Sequence, residues 1–432
     1  MGSNPTPRTK LYVQFPLRLN LALKEFSTHD AQLVSDIHHY DRRLTAALSI
    51  LDGDKEVLEM NRKKIKEFLE YIRAEGLSTP RQVRYVYVLR QLSILLGKEF
   101  IRTTKTDMVT TVSELEKQDT AYDTKLSEKQ CIKRFYKWLR NTEDDYPPEV
   151  RWMKAKRNNN HKILPEHLLT EDEVKRLAEA CQNQRDRALI LVLYETGCRV
   201  GEILTLKVAD VQFDTHGAIM IVKGKTGPRR VRIIFSAKAL SEWLNHHPAR
   251  FETEAPLWTS FESANSKKPL EYYAFTKMLS VTAKRVGIGK RVNPHSFRHA
   301  RASNLANVLT EAQMKEYLGW VGDSRMASTY VHLSGRNIDN ALLKLNGIKT
   351  EDEVNNEEHT LRIKTCLRCQ ESNSATSSFC SRCGSPLDMK TAMQLHEEES
   401  KIDDVMDNLL EDHEVKKVLL SKLKAMAMAV AT

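Results

Sequence analysis

Long apolar runs are missing from these 432 residues. No stretch approaches the roughly 20 consecutive apolar residues of a membrane span, so a membrane partner is not expected. The opening "MGSNPTPRTK" lacks an apolar segment followed by a small-residue cleavage site, so no secretion signal is read there. Cysteine is sparse: seven in all, four of them between positions 366 and 383. Without a secretion signal, that usage excludes a disulfide framework and implies a reducing, cytoplasmic setting. A nucleotide-binding loop is absent too, because "GKTG" has no first glycine at the required spacing. No acidic cluster suggests a two-metal nuclease.

What is present is positive charge and helical pattern. The net charge is +10 and the pI is about 9.1, and nucleic acid leads the partners of such a chain. Hydrophobic residues make up 41% and charged residues 29%, which fits a globular protein with much solvated surface. The length predicts two or three domains.

Residues 1–52 read as an N-terminal arm with one amphipathic helix, carrying Leu33, Ile37, Tyr40, Leu44 and Leu48 at spacings of three or four. Residues 53–143 read as a helical domain. Val57, Leu58, Ile65, Leu69 and Ile72 share a side of its first helix, before Gly76. A Ser/Thr start with proline in the first turn and a stop at Gly97 mark its second. Its last helix carries Lys129, Lys133, Arg134, Lys137 and Arg140 around Phe135, Tyr136 and Trp138. That pattern fits a solvated surface helix, or a DNA-facing one if the rest of the chain binds DNA. Residues 144–169, with prolines, an asparagine run and excess Lys and Arg, read as a basic interdomain linker. Residues 170–348 read as a second, mostly helical domain. Thr170 and Glu173 form a capping pattern at its start, and "AIMIVKGKTGPRRVRIIF" forms its one clear β-hairpin. A cysteine module at 360–387 and an amphipathic helical tail at 388–432 complete the chain.

Four stretches of the second domain carry chemistry. In "NPHSFRHARASNLA", Asn293 is a good helix cap and Pro294 a good first helical residue. His295 and Arg298 then share a face beside a helix N-terminus, an arrangement suited to phosphate. In "YETGCRVGEILTLKVADV", Arg199 follows a Thr-Gly helix break, with Glu202 placed to orient its guanidinium. In "KGKTGPRR", Lys225 rides on the hairpin turn. In "YLGWVGDSRMASTYVHL", a Gly-Trp turn at Trp320 precedes Tyr330.

The order Arg, Lys, His-x-x-Arg, Trp, Tyr resembles the tyrosine recombinases, the phage-integrase and Xer-type site-specific DNA recombinases. The resemblance spans about residues 55–345 and is strongest from 190 to 335. Archaeal and mobile-element members resemble it most, given the cysteine-rich appendage. It implies a mainly α, multidomain fold: a helical core DNA-binding domain, then a mostly helical catalytic domain with a small β-sheet, here followed by a zinc ribbon and a C-terminal helix. It implies that Tyr330 attacks a DNA phosphodiester to give a 3′-phosphotyrosine and a free 5′-hydroxyl. Arg199 and Arg298 would hold the non-bridging oxygens, and Lys225 would protonate the leaving oxygen. His295 would share proton handling, Trp320 would donate to the phosphate or buttress Tyr330, and Glu202 would position Arg199. No metal or nucleotide is needed for this chemistry. The implied partners are double-stranded DNA bearing specific recombination sites and further copies of the chain, as a homo-tetramer on synapsed DNA.

One departure stands out. The family's Leu-Gly-His histidine is usually nine residues before the tyrosine, whereas Trp320 precedes Tyr330 by ten. Tyr317 precedes the "LGW" turn and is set aside as nucleophile. His299, His332 and Cys198 read as packing or supporting groups, and Arg301 as an ordinary surface or packing residue. Ile338, Ala341, Leu342, Leu345 and Ile348 predict a helix that packs on its own domain or on a neighbouring protomer. Two other readings stay open on sequence: a type IB topoisomerase-like nicking and resealing enzyme, and a non-catalytic DNA-binding protein on the same scaffold.

The remaining motif is independent. Cys366, Cys369, Cys380 and Cys383 form two Cys-x-x-Cys pairs, the pattern of a tetrahedral, structural zinc site. The tail's Val405, Leu409, Val415, Leu419 and Leu423 predict a partner-packing or oligomerisation helix.

Overall fold

The computed structural model describes residues 36–155, 165–224, 226–261, 267–322, 324, 326–333 and 361–430. Arm residues 1–35, Lys225, the post-nucleophile helix expected over 338–348, and the side chains of His332 and Leu423 lie outside that set.

Helices α1 (Tyr40–Gly53), α2 (Glu59–Ala74), α3 (Thr79–Leu96), α4 (Lys105–Lys117), α5 (Tyr122–Leu139) and the short α6 (Pro148–Arg151) share one apolar core. Ala47 and Leu51 of α1, and Val150 and Met153 around α6, are buried in it. The core therefore extends past 53–143 at both ends. On α2, Ile65, Leu69 and Ile72 are buried, while Leu58 precedes the helix and is exposed. Helix α3 starts after Ser78, with Pro80 in its first turn, and stops at Gly97 in the left-handed conformation (φ 60°).

A second core is built around α8 (Gln184–Thr196). This helix is buried on every side, as an apolar helix without a polar face must be. Helices α7 (Glu171–Glu179), α10 (Ala237–Asn245) and α12 (Pro294–Leu305) surround it. Thr170 and Glu173 cap α7 reciprocally. The hairpin is β2 (Gly217–Gly224) and β3 (Gly227–Ile233), and an unanticipated β1 (Val211–Asp214) widens it to an antiparallel sheet of order β1-β2-β3. Ala218, Met220 and Val222 alternate into the core. Helices α9 (Val200–Leu204), α11 (Tyr272–Arg285), α13 (Glu311–Leu318) and α14 (Met326–Leu333) complete this unit.

The cysteine module holds a small ribbon, β4 (Lys364–Thr365) against β5 (Ser372–Asn373). It is docked rather than tethered. Leu361 and Ala375 are buried in the second core, and Lys238 of α10 lies 3.6 Å from Glu371. The tail is two helices, where the sequence suggested one: α15 (Met389–Glu411) and α16 (His413–Val430). The break is local chemistry. Asp412 takes an extended conformation, and its carboxylate accepts from Val415 N at 3.1 Å, capping the second helix. Among the described residues, no helix is long and apolar enough to cross a membrane.

Candidate active site

The site begins where α8 ends. Gly197 stops the helix in the left-handed region (φ 56°), and a Cβ there would lie 3.0 Å from Leu318 Cδ2. Two residues later Arg199 precedes the short α9. Its Nη1 donates to Glu202 Oε1 (2.9 Å), and its Nη2 donates to Gly319 O (3.1 Å). Glu202 is buried and also accepts from Arg229 Nη2 at 2.8 Å. Burial opposes its ionisation, but hydrogen bonds and charge from Arg229, then bonds from Arg199, outweigh burial and hold its carboxyl below the usual value. The hairpin end rests on this pair: a Cβ at Gly224 would lie 2.4 Å from Glu202 Oε1. The end of β2 at Gly224 is thus packed against Glu202 and Arg229.

The facing wall is α12. Asn293 accepts from Ser296 N at 3.0 Å, and Pro294 is the first helical residue. His295 and Arg298 follow in the opening turns. Arg298 is buried, and its guanidinium donates to Gly197 O (2.8 Å) and Leu318 O (2.7 Å). Those partners are backbone carbonyls, not carboxylates. Burial, and then the positive charge of Arg199, bring its pKa down to about 10. Among the described residues, Arg199, Arg229 and Arg298 against the one carboxylate of Glu202 leave surplus positive charge in a water-poor pocket. Such a pocket favours an anion with several oxygens, and guanidinium forks match phosphate geometry. Burial, then the charges of Arg298 and Arg199, push His295 below the usual imidazole pKa.

The third wall is aromatic. Helix α13 ends at Gly319 (φ 63°), after which Trp320 lies parallel to Tyr330 of α14, with ring centroids 5.6 Å apart and planes 2° apart. The Arg298 guanidinium lies over Trp320, 5.5 Å from the ring centroid. Trp320 therefore contacts both Arg298 and Tyr330. The Tyr330 side chain is buried, and its hydroxyl contacts His299 Nδ1. Burial raises the phenol to about 12, against the pull of Arg298.

Arg199, Glu202, His295, Arg298, Trp320 and Tyr330 are thus brought together. Two neighbours are not evident from sequence reasoning. Arg229 of β3 is nearly enclosed; it bonds Glu202, Tyr317 O (3.0 Å) and Cys198 Sγ (3.3 Å). Only the strand register delivers it, so no local signal marks it. His299 reads as packing in the sequence, yet it meets the tyrosine hydroxyl. Its spacing of four from His295 already puts both histidines on one helix face. Other side chains have structural partners. Tyr317 donates to Glu195 O (3.3 Å) and Arg232 O (3.2 Å), and Arg301 Nε donates to Glu195 O (2.8 Å). On α5, Lys129 pairs with Glu116, Arg134 with Glu75, and Arg140 with Glu149 at 2.8 Å. Lys133 donates to Met153 O at 3.1 Å. These α5 cations are engaged within their own domain, as the surface-helix reading expects.

Away from this pocket, the sulfur atoms of Cys366, Cys369, Cys380 and Cys383 all lie within 4.8 Å of one another. The Cys366–Cys383 and Cys369–Cys380 pairs are 3.6 and 3.5 Å apart. Four thiolates on a tetrahedral ion at about 2.3 Å stand about 3.8 Å apart, so the cluster can hold a metal. Asn373 Nδ2 points at Cys380 Sγ from 3.7 Å, an outer contact of the kind that orients ligands.

Comparison with known proteins gives a consistent picture. Residues 167–336 match the phage integrase family. Tyrosine recombinase XerA of Pyrococcus horikoshii is 26% identical over 293 residues, covering 67% of this chain and 96% of that protein. Among solved structures, XerH site-specific recombinase bound to palindromic difH substrate, a post-cleavage complex, aligns with a TM-score of 0.51 at 16% identity. It covers 71% of this chain and 95% of that one. A lambda integrase dimer bound to a COC′ core site aligns with a TM-score of 0.51 at 14% identity, over 64% and 78% of the two chains. These two structures share the fold.

Proposed function

We propose, for a chain that belongs to the tyrosine recombinase (phage integrase) family, that it cuts and rejoins DNA at specific sites through a covalent 3′-phosphotyrosine on Tyr330. One observation carries this reading. Among the described residues no carboxylate bonds Arg298, which is buried beside Arg199 with its guanidinium over Trp320, the ring that stacks on the buried Tyr330. A buried cation without a counter-ion is costly unless something negative arrives. A scissile phosphate is that group.

Arg199 and Arg298 hold the two non-bridging oxygens and stabilise the charge that grows on them in the transition state. Glu202, tied to Arg199 and Arg229, fixes the first fork and tempers the repulsion between guanidiniums. Trp320 holds the Tyr330 ring flat beside Arg298. His295, kept neutral by burial and then by its cationic neighbours, bonds the phosphate or shares its proton traffic. Lys225, between β2 and β3 in the chain, protonates the leaving 5′-oxygen. Phosphodiester energy is kept in the phosphotyrosine, so rejoining to a second strand needs no nucleotide. Double-stranded DNA is the partner, and recombination between two sites calls for a homo-tetramer on synapsed DNA. Zinc in the four-cysteine cluster serves structure: with four sulfur ligands it has no open position for chemistry.

The test is a nicked duplex that traps the covalent product, its site selected from random-sequence DNA by rounds of binding to the full chain. Wild type should form the adduct and Tyr330→Phe should not. Failure of the first, or success of the second, overturns the reading.

A further inference from the structure

A phenol attacking phosphorus must lose its proton, and burial makes Tyr330 a weaker acid than free tyrosine. The tyrosine therefore needs an acceptor within hydrogen-bond reach. His295, the histidine of the His-x-x-Arg motif, lies one helical turn away; its ring centroid is 6.4 Å from that of His299. The group in contact with the Tyr330 hydroxyl is His299, through Nδ1. The two rings lie 5.9 Å apart between centroids. Helix α12 and helix α14 pack together to make this contact.

We propose that His299 is a catalytic residue: it accepts the Tyr330 proton as the phenol attacks and returns it when the phosphotyrosine is resolved. This rests on the recombinase reading above. The step balances without any further reagent. The Tyr330 Oη–P bond forms as the P–O5′ bond breaks. The Tyr330 proton goes to His299 Nδ1, and the 5′-oxygen takes a proton from Lys225. In the reverse step a 5′-hydroxyl attacks phosphorus, the Oη–P bond breaks, and imidazolium His299 reprotonates the phenolate.

The surroundings suit an acceptor. Three charged or titratable groups face His299: His295 and Arg298 on its own helix, and Tyr330 from α14. Burial, then His295 and Arg298, keep the ring neutral at pH 7 by lowering its pKa. In its Nε2–H tautomer the neutral imidazole presents an Nδ1 lone pair to the hydroxyl for the proton. Tyrosine and imidazole are too far apart in basicity for transfer at rest. The proton moves only as bonding to phosphorus acidifies the phenol oxygen, so the resting enzyme is not a phenolate.

The experiment uses the full chain and the selected nicked duplex, and measures single-turnover adduct formation from pH 5 to 9. Alongside it, DNA affinity reports folding. His299→Gln keeps a hydrogen-bonding side chain but no basic nitrogen. It should bind DNA normally and form adduct at least about 100-fold more slowly. The acid limb of the wild-type profile, below the ordinary imidazole value, should vanish in it. Added imidazole should restore adduct formation to His299→Ala, which a purely structural loss would not permit. An H299Q rate within threefold of wild type, with the same acid limb, overturns the proposal and leaves the recombinase reading intact. If H299Q loses DNA binding, wild type decides: a rate that stays level from pH 8 to 5 overturns the proposal. A wild type that forms no adduct on the selected duplex overturns the underlying reading instead.

Discussion

Trp320 lies parallel to Tyr330, 5.6 Å between centroids and 2° between planes, and the Arg298 guanidinium also lies over the indole, 5.5 Å from its centroid. A stacked indole fixes the tyrosine ring in two directions and leaves rotation of the hydroxyl free. Trp320→Ala removes the plate and Trp320→Phe keeps one. The alanine variant should form phosphotyrosine about 3- to 10-fold more slowly, matching the ~0.5–1.5 kcal/mol of an aromatic pair. The phenylalanine variant should stay near wild type, and neither should change DNA affinity. An equal loss in Trp320→Phe and Trp320→Ala would mean that the indole N–H, which both variants lack, and not the ring, is what matters.

Glu202 and Arg229 form a buried pair, with side chains 3% and 10% exposed. Removing either member leaves a buried charge short of its native partners: Glu202 keeps only Arg199, and Arg229 loses its bond to Glu202. Arg229→Met should lower unfolding stability by about 3–5 kcal/mol. Adding Glu202→Gln to it should recover part of that loss, because the uncompensated charge disappears. Urea unfolding of both single variants and the double variant measures the coupling. Purely additive losses would show that the two residues act independently.

Acid should loosen the site before it unfolds the rest. Burial, followed by neighbouring positive charge, lowers the folded-state pKa of His295 and of His299. A depressed folded pKa means that the native state disfavours the protonated ring. The contribution to stability is full above the unfolded value of about 6.5 and is lost as pH falls through the folded values. Thermal midpoints should therefore drop from pH 7 toward pH 5, and a His295→Gln, His299→Gln double variant should drop less. An equal fall in both proteins would assign the acid sensitivity elsewhere.

The sequence makes local features legible because they are local. Thr170 with Glu173, and Asn293 with Pro294, specify helix starts through contacts three residues long. The arginine, tryptophan and tyrosine motifs are each short and lie in one order along the chain. What escapes is anything that depends on register or burial. Arg229 reaches Glu202 only because β3 pairs with β2 so that Val222 faces Arg229. Strand β1 pairs Val211 with Met220, although its four residues, Val-Gln-Phe-Asp, alternate over too short a run to mark a strand. His299 reads as packing because sequence reveals its helix face but not the partner opposite it. The basic stripe of α5 has the reverse history: its cations are spent on Glu75, Glu116 and Glu149, residues distant enough in sequence to hide the pairing.

The cysteine module offers the last test, because its docking would couple a metal bound there to the catalytic unit. Four cysteines in a ribbon this small have few apolar neighbours of their own, so a metal on them would supply most of the local folding energy. Leu361 and Ala375 nevertheless belong to the same core as α8 and α10, and Lys238 faces Glu371. Losing the metal should therefore unfold the ribbon and also open one side of that core. A chelator, or Cys380→Ser, should abolish amide protection across 361–387. It should also reduce protection in α10 and lower the thermal midpoint of the catalytic unit by a few degrees. Tyr330 and Arg298 lie in other walls, so adduct formation at low temperature should persist. Unchanged protection in α10 after chelation would show that the ribbon merely rests on the core without stabilising it.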